Sequence, residues 1–340
     1  MYAWVVAKSD QSIASYRVRC KLIMDELNRQ GFPAELYSKE NCDRYTLAVF
    51  SKYYSKNAIQ IARQLKAMGK KVIFDISDNH FLLAQDRVAD LEVMISLSDC
   101  IIVPAESLME LIQKKYNDCK VVVIEDPVED FTLYLDDEKW RGTVSEWIRK
   151  IILQPWLYKH REKFNLVWFG AAQGSYKDSG LLHLGHKSSV LNAVNKTYPL
   201  TLTIISNSYY QYSKIKKHFD FPTCYMPWSL QSFAKVLKQH DCSIIPVDIN
   251  EFTKVKSNNR AIQALYYHVP VIADPIASYI KLSDCMYIND WENNLLRVIN
   301  NTAEKEEKLE NASAYIEKYH TQAYITSKWL ECFKEIEAHD

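Results

Sequence analysis

The sequence predicts an α/β protein built from two doubly wound parallel halves and a helical tail. Three observations carry this reading. Short apolar runs alternate with segments of helical periodicity from Trp4 to Ile124. The alternation stops between Asp130 and Phe164 and resumes at Leu166. The chain has 340 residues, which suits about two domains of ~150 residues each. Strands that alternate with helices pair in parallel, because each helix returns the chain to the same end of the sheet.

In the first half the predicted strands are Trp4–Ala7, Ala34–Tyr37, Leu47–Phe50, Val72–Asp75, Ile101–Val103 and Val121–Ile124. A helix over Ser15–Gln30 places Val18, Leu22, Ile23 and Leu27 on one face and stops at Gly31. Helices follow at Ala58–Met68, closed by Gly69, and at Ala89–Leu97 and Ser107–Lys115. The segment from Asp130 to Phe164 is charged and carries Trp140, Trp147 and Trp156. It holds a helix-like stretch, Val144–Leu153, closed by Pro155. In the second half the strands are Leu166–Phe169, Leu200–Ile205, Thr223–Met226, Ser243–Pro246, Val269–Ala273 and Met286–Ile288. Its helices are His186–Tyr198, Tyr210–Phe219, Leu230–Gln239 and Arg260–Tyr267. The tail is helical over Trp291–Asn301, Ala303–Tyr319 and Thr321–Glu337. The expected division is a first domain over 1–135, a connection over 136–164, a second domain over 165–319, and a final helix over 320–340 that packs back on the first domain.

Hydrophobic residues make up 48% of the chain and charged residues 25%, as in ordinary globular proteins. Lys plus Arg and Asp plus Glu both number 42, so a chain-wide basic surface for nucleic acid is not expected. No apolar run approaches the ~18 to 20 residues of a membrane-spanning helix. The opening MYAWVVAKSD lacks a basic region followed by an apolar signal core, so a cytoplasmic location is expected. Eight cysteines are scattered with no Cys-x-x-Cys pair, which offers neither a zinc site nor a disulfide framework. His183 and His186 alone are too few for a metal site. The 22 tyrosines are read as partly buried side chains rather than a carbohydrate-stacking surface.

The most informative segment is KVKSNNRAIQALYYHVPVIADPIASY, residues 254–279. It reads as a polar loop, a helix, a turn at His268-Val269 and a buried strand. Ser257, Asn258 and Asn259 are all able to cap the helix start. The first-turn N–H groups suit a phosphate, and Lys256 and Arg260 add cations beside them. The residues alone also describe a capped helix with two solvated cations. In sheets of this kind ligands bind beyond the carboxyl ends of strands, so a cleft between the halves is the expected site.

The stretch KSNNRAIQALYYHVPVIAD resembles the donor-site segment of GT-B glycosyltransferases, with its Lys-Ser-x-Asn-Arg/Lys start and Pro-Val-Val-Ala-like end. Further stretches fall in the family's order. They are SYRVRCKLIMDELNRQG, DCIIVPAESLMELI, VVVIEDPVED, LVWFGAAQGSYKD and MPWSLQSFAKVLKQHDCSIIPV. The resemblance implies two Rossmann-like domains facing across a cleft. It implies a nucleotide-sugar donor on the second domain and a carbohydrate or glycolipid acceptor on the first. On that basis Gly170 in the Gly170–Gly174 loop, Trp228, Lys256, Ser257, Asn258, Asn259, Arg260 and Gln263 are expected to bind the donor. Trp228 would lie against the base, and Lys256 and Arg260 would neutralise the phosphates. No metal and no other cofactor is required. Arg17 and Arg19 are expected to hold an anionic acceptor.

The family's Glu-x7-Glu signature is absent. Gln263 and Val255 stand at those positions, which opens the way to a different donor, an inverting mechanism or loss of activity. An inverting transferase needs a base. The candidates are Asp78 and His80 in DISDNHF, with Asp75 in the same motif, and Asp10 in the loop after the first strand. Lys8-Ser9-Asp10-Gln11 replaces the glycine-rich loop often found there. The expected function is transfer of a sugar to a glycan or glycoconjugate in cell-surface polysaccharide synthesis. The resemblance also allows peripheral association with the inner face of a membrane. A nucleotide-sugar epimerase of the same fold, or a non-catalytic carbohydrate-binding partner, stays open at this point.

Overall fold

The computed structural model describes residues 1–134, 147–173, 176 and 179–338. Two six-stranded sheets stand among these residues, and every strand pair is parallel. The first has the order β2-β1-β3-β4-β5-β6. Its strands are β1 Tyr2–Val5, β2 Ala34–Leu36, β3 Leu47–Ser51, β4 Lys71–Asp75, β5 Cys100–Val103 and β6 Val121–Val123. The second has the order β12-β11-β10-β7-β8-β9. Its strands are β7 Phe164–Phe169, β8 Leu200–Ser206, β9 Thr223–Pro227, β10 Cys242–Ile245, β11 Val271–Ala273 and β12 Tyr287–Ile288. In both sheets the chain winds outward from one strand and returns to its other side. The reversal points lie between β1 and β3 and between β7 and β10. Loops part at such points and leave room for a ligand beyond the carboxyl ends.

The chain forms two compact units. One takes residues 1–129, 254–259 and 317–340, the other residues 130–253 and 260–316. In the first unit alternation along β1 sends Ala3 and Val5 to one core and Tyr2 and Trp4 to the other. The first core is closed by apolar residues of the helices Lys56–Ala67, Gln85–Leu97 and Glu106–Lys115, with Val255 buried among them. The second is closed by Leu22–Arg29 and the C-terminal helix Gln322–Glu337. There the rings of Trp329 and Phe333 each lie 6.0 Å from the ring of Trp4. In the second unit Leu166, Trp168, Leu202, Ile204, Cys242, Ile244 and Ile272 form one core face of the sheet.

Each predicted strand is present, with shifted ends. Tyr2 pairs with Ala34 and Leu47, so β1 begins before Trp4, and Val6 and Ala7 lie beyond the ladder. The predicted first helix contains a π-helical turn, Arg17–Lys21, between Ala14–Tyr16 and Leu22–Arg29. His186–Tyr198 is instead Leu181–His186 followed by Ser188–Asn195. The turn before β11 is longer than expected, over residues 267–270, with His268 left-handed at φ 56°. Pro155 does not close a helix. Arg149–Leu153 is π-helical and Gln154–Lys159 continues as an α-helix. The proline sits at the junction of the π-helical turn and the α-helical segment, and the run continues through it. Residues 144–146 of that expectation, Trp140 and most of the expected connection's first half lie outside the described residues.

Trp329 is fully buried, and truncation would leave a cavity beside Trp4 and Phe333. Trp329→Ala is expected to cost about 3–5 kcal/mol in urea unfolding of the full chain. An unchanged midpoint would show that the C-terminal helix contributes little to the first unit.

Candidate functional site

In the first unit the candidate residues gather where β3, β4 and β6 end. Lys52 directly follows β3 in a left-handed conformation, φ 50°, and its N–H donates to the Asp75 carbonyl at 2.8 Å. A non-glycine residue held this way is uncommon and is fixed by its surroundings. Its Nζ binds Oδ2 of Asp78, while Nζ of Lys256 binds Oδ1. Burial alone would raise the Asp78 pKa, but the two ammonium groups outweigh it and hold the carboxyl far below its usual range. Asp78 was expected as a catalytic base. A carboxylate this acidic, with a lysine on each oxygen, is a weak proton acceptor and suits a counter-ion.

His80 is better placed for that role. It is buried, and its Nδ1 lies 2.9 Å from the Tyr54 hydroxyl. Burial, reinforced by Lys52, pulls its pKa from 6.5 to about 4. It is therefore neutral at pH 7. With the proton on Nδ1, donating to Tyr54, Nε2 carries a free lone pair. Asp10 lies in an exposed turn and accepts the Ser12 N–H at 2.8 Å. That bond lowers its pKa.

Arg17 and Arg19, expected to hold an acceptor, are each only 2% exposed. Arg17 binds both oxygens of Glu129, at 2.5 and 3.1 Å, and the Gln11 carbonyl at 2.6 Å. Arg19 donates to Asp75 at 2.6 Å, to the Ile124 carbonyl at 2.6 Å and to Asp126 at 3.2 Å. Both side chains are turned inward, so the expectation is corrected: these cations are ligands of internal carboxylates. Arg17, Val18, Arg19 and Cys20 are all buried, so the π turn Arg17–Lys21 is enclosed around its circumference. Asp126 then accepts from Ser257 at 3.1 Å and Asn259 at 3.4 Å. Two of the expected donor-binding residues are thereby tied to the Arg19 network.

The remaining donor-segment residues are more open in their chemistry. Asn258 is 2% exposed, and neither Nδ2 nor Oδ1 has a partner among the described residues. Two positions on, in the second unit, Arg260 lies over the rings of Trp168 and Phe169 at 5.1 and 5.4 Å. Its Nε and Nη2 are inaccessible and also lack partners. Burial lowers its pKa, as expected for a cation without a counter-charge. Gly170, just after β7, has φ 155°. A Cβ there would come within 3.3 Å of Trp168 and 3.5 Å of the Arg260 guanidinium carbon. Glycine thus leaves the space that this packing requires. Gln263 is buried on the helix Asn259–Tyr266. Trp228 follows β9, half-buried, its N–H donating to the Ser206 carbonyl at 2.9 Å. Gly174 lies outside the described residues.

Several residues escaped sequence reasoning. Lys52 and Asp126 were detectable only as charged residues just beyond strands. In the second unit His186 ends a helix and binds Asp248 at 2.5 Å, with His183 at 3.9 Å from the same carboxylate. Asp274, just after β11, accepts from Lys187 at 2.7 Å, Trp291 at 2.9 Å and the Val247 N–H at 2.7 Å. In the first unit a cavity of about 340 Å³ opens beyond β1, lined by Lys8, Ser9, Tyr37, Tyr53 and Asn57 among others. It lies at that sheet's reversal point. Among the described residues no group of three or more His, Cys, Asp or Glu side chains could hold a metal.

No protein-family model and no curated protein matches the sequence. Solved structures do match by shape. A trehalose-6-phosphate structure from E. coli bound with UDP-2-fluoro glucose superposes with a TM-score of 0.65 at 11% identity, over 99% of each chain. A glycosyltransferase from Rickettsia africae ESF-5 gives 0.66 at 13% identity, over 100% of this chain and 99% of that one. The pneumococcal O-GlcNAc transferase GtfA, in complex with UDP and GlcNAc, gives 0.57 at 11% identity, over 86% of this chain and 57% of its own. The chain therefore has the GT-B fold, with two Rossmann-like domains and C-terminal helices.

The depressed pKa of His80 has a signed consequence. Its contribution to stability is complete above the unfolded value of 6.5 and is lost as pH falls toward about 4. The thermal midpoint should fall across that window, and His80→Gln should flatten the slope. Parallel slopes for the two proteins would place the effect elsewhere, for instance at buried His240.

Proposed function

We propose that this chain is a glycosyltransferase that moves a sugar from a nucleotide-sugar donor to a carbohydrate or glycoconjugate acceptor without a metal ion. The carrying observation is the pair of buried groups without partners, the Asn258 amide and the Arg260 Nε and Nη2. A buried guanidinium without an acceptor is costly, and a phosphate oxygen supplies what it lacks. The N-terminus of the helix Asn259–Tyr266 favours negative charge in the same place. The structural neighbours complexed with UDP or a UDP-sugar support the same reading.

In this mechanism an acceptor hydroxyl attacks the anomeric carbon. The new carbon–oxygen bond forms as the bond to the nucleotide phosphate breaks. The departing charge falls on Arg260, so a cation and a helix end do the work of a metal. The acceptor proton goes to Nε2 of His80, with Tyr54 holding the imidazole orientation. Asp78 and Lys52 position Lys256. Gln263 takes a ribose hydroxyl and Trp228 lies against the base. The acceptor occupies the cavity beyond β1, among Tyr37, Tyr53 and Asn57. Val255, at the position of the first acid of the missing signature, is packed in the first unit's core. That favours inversion over a retaining mechanism that depends on a carboxylate there. A role in cell-surface polysaccharide synthesis is the fitting cellular setting.

The test is a panel of nucleotide-sugars scored by thermal shift, nucleotide release and product formation. Lys256→Ala should weaken donor binding about tenfold, the loss of one charge-assisted contact. His80→Gln should leave donor affinity unchanged and lower kcat about 100-fold or more. Conversion of a donor without any acceptor would indicate an epimerase. An active enzyme with unchanged kcat in His80→Gln would remove His80 from the mechanism.

A further inference from the structure

The tryptophan-rich stretch after Asp130 finds no use in the transfer chemistry, yet its described part is unusual. Residues 147–159 form one helical run in the second unit. Arg149 and Leu153 point inward, and the Arg149–Leu153 turn packs against the edge strand β9. The outward side mixes large apolar residues with Lys150, Gln154 and Lys159. Trp147 is 60% exposed, Ile151 46%, Ile152 45% and Tyr158 70%. The helix Tyr209–Ile215 borders the same strand, because the rings of Tyr209 and Tyr212 both lie 5.4 Å from that of Tyr225, the first edge-on and the second tilted. It exposes Tyr209 and Tyr210 at 60% and 64%. Six of the thirteen exposed large hydrophobic side chains among the described residues therefore flank one sheet edge. Scattered exposed apolar residues are ordinary, but this clustering is not.

Charge settles what kind of partner fits. With buried Arg149 set aside, residues 147–163 and 209–218 hold seven lysines or arginines and one acid, Glu162. The whole chain carries 42 of each sign, so this edge is a local cationic excess. Several of the cations lie over the exposed rings. Arg161 is 4.8 Å from the ring centre of Tyr158, and Lys214 is 4.1 Å from that of Tyr210. Aromatic and aliphatic side chains interleaved with Lys and Arg on surface helices suit the headgroup region of an anionic bilayer. Rings and chains enter the interface while the cations meet lipid phosphates. No helix among the described residues is long and apolar enough to cross a membrane.

We propose that the β9 edge of the second unit, with Trp147, Ile151, Tyr158, Tyr210, Lys150 and Lys159 at its centre, docks on the surface of an anionic lipid bilayer. The proposal does not depend on the transferase reading. Its test is co-sedimentation of the full chain with phosphatidylcholine vesicles, with and without phosphatidylglycerol. Binding is expected to the anionic vesicles and to weaken with salt. The pairs Trp147→Ser/Tyr158→Ser and Lys150→Glu/Lys159→Glu should each lower partitioning about tenfold or more, with unchanged thermal midpoints. No sedimentation with anionic vesicles would overturn the proposal, as would equal binding by both variants. So would a dimer, seen by light scattering, that the same substitutions dissolve.

Discussion

The guanidinium of Arg19 joins three segments of the first unit. It comes from the π turn of the first helix, and it reaches Asp75 at the end of β4 and Asp126 beyond β6. A carbonyl of the same turn does further work, since Trp4 on β1 donates its indole N–H to the Arg19 oxygen at 3.2 Å. The guanidinium carbon lies 5.1 Å from the ring centre of Trp329 on the C-terminal helix. Burying these charges is costly, and the arrangement holds because each has a partner. Asp75 is satisfied on its second oxygen by Ser51 at 2.8 Å. Asp126 spends its second oxygen on Ser257 and Asn259. The position of the segment that opens the helix Asn259–Tyr266 thus follows from an ion pair anchored in the opposite end of the sequence.

Beyond that anchor the polar groups divide into two kinds. Arg17, Arg19, Asp75 and Asp126 are paired inside the fold. Lys256 is held by Asp78. Arg260 and Asn258 have no partner on the groups named above. The first kind ties the first unit together, and the Asn258 amide and the Arg260 Nε and Nη2 are buried with no hydrogen-bond partner among the described residues.

Much of this was legible in the sequence. The alternation of apolar runs with 3.6-residue periodicity is a local property, so the two sheets and their helices could be read directly, from Tyr2–Val5 to Tyr287–Ile288. The segment 256–263 was legible because its residues are adjacent in the chain. Pairings between distant residues were not. Arg17 and Arg19 looked like ligands of an acceptor because their carboxylate partners Glu129, Asp75 and Asp126 are 112, 56 and 107 residues away, and nothing local announces the π turn. Asp78 looked like a base because its two lysines, Lys52 and Lys256, are 26 and 178 residues away. The patch along β9 was visible only as a tryptophan-rich, charged stretch, since its second half comes from Tyr209–Ile215.

The proposed transfer chemistry rests on Arg260, a buried guanidinium whose Nε and Nη2 lack partners among the described residues. The most direct measurement is calorimetric titration of nucleoside diphosphates into the full chain and into Arg260→Gln. The native chain is expected to bind one or more diphosphates, and the variant to lose about tenfold or more in affinity with its thermal midpoint maintained. Equal affinities in the two proteins, or no binding by the native chain at saturating concentrations, would contradict it.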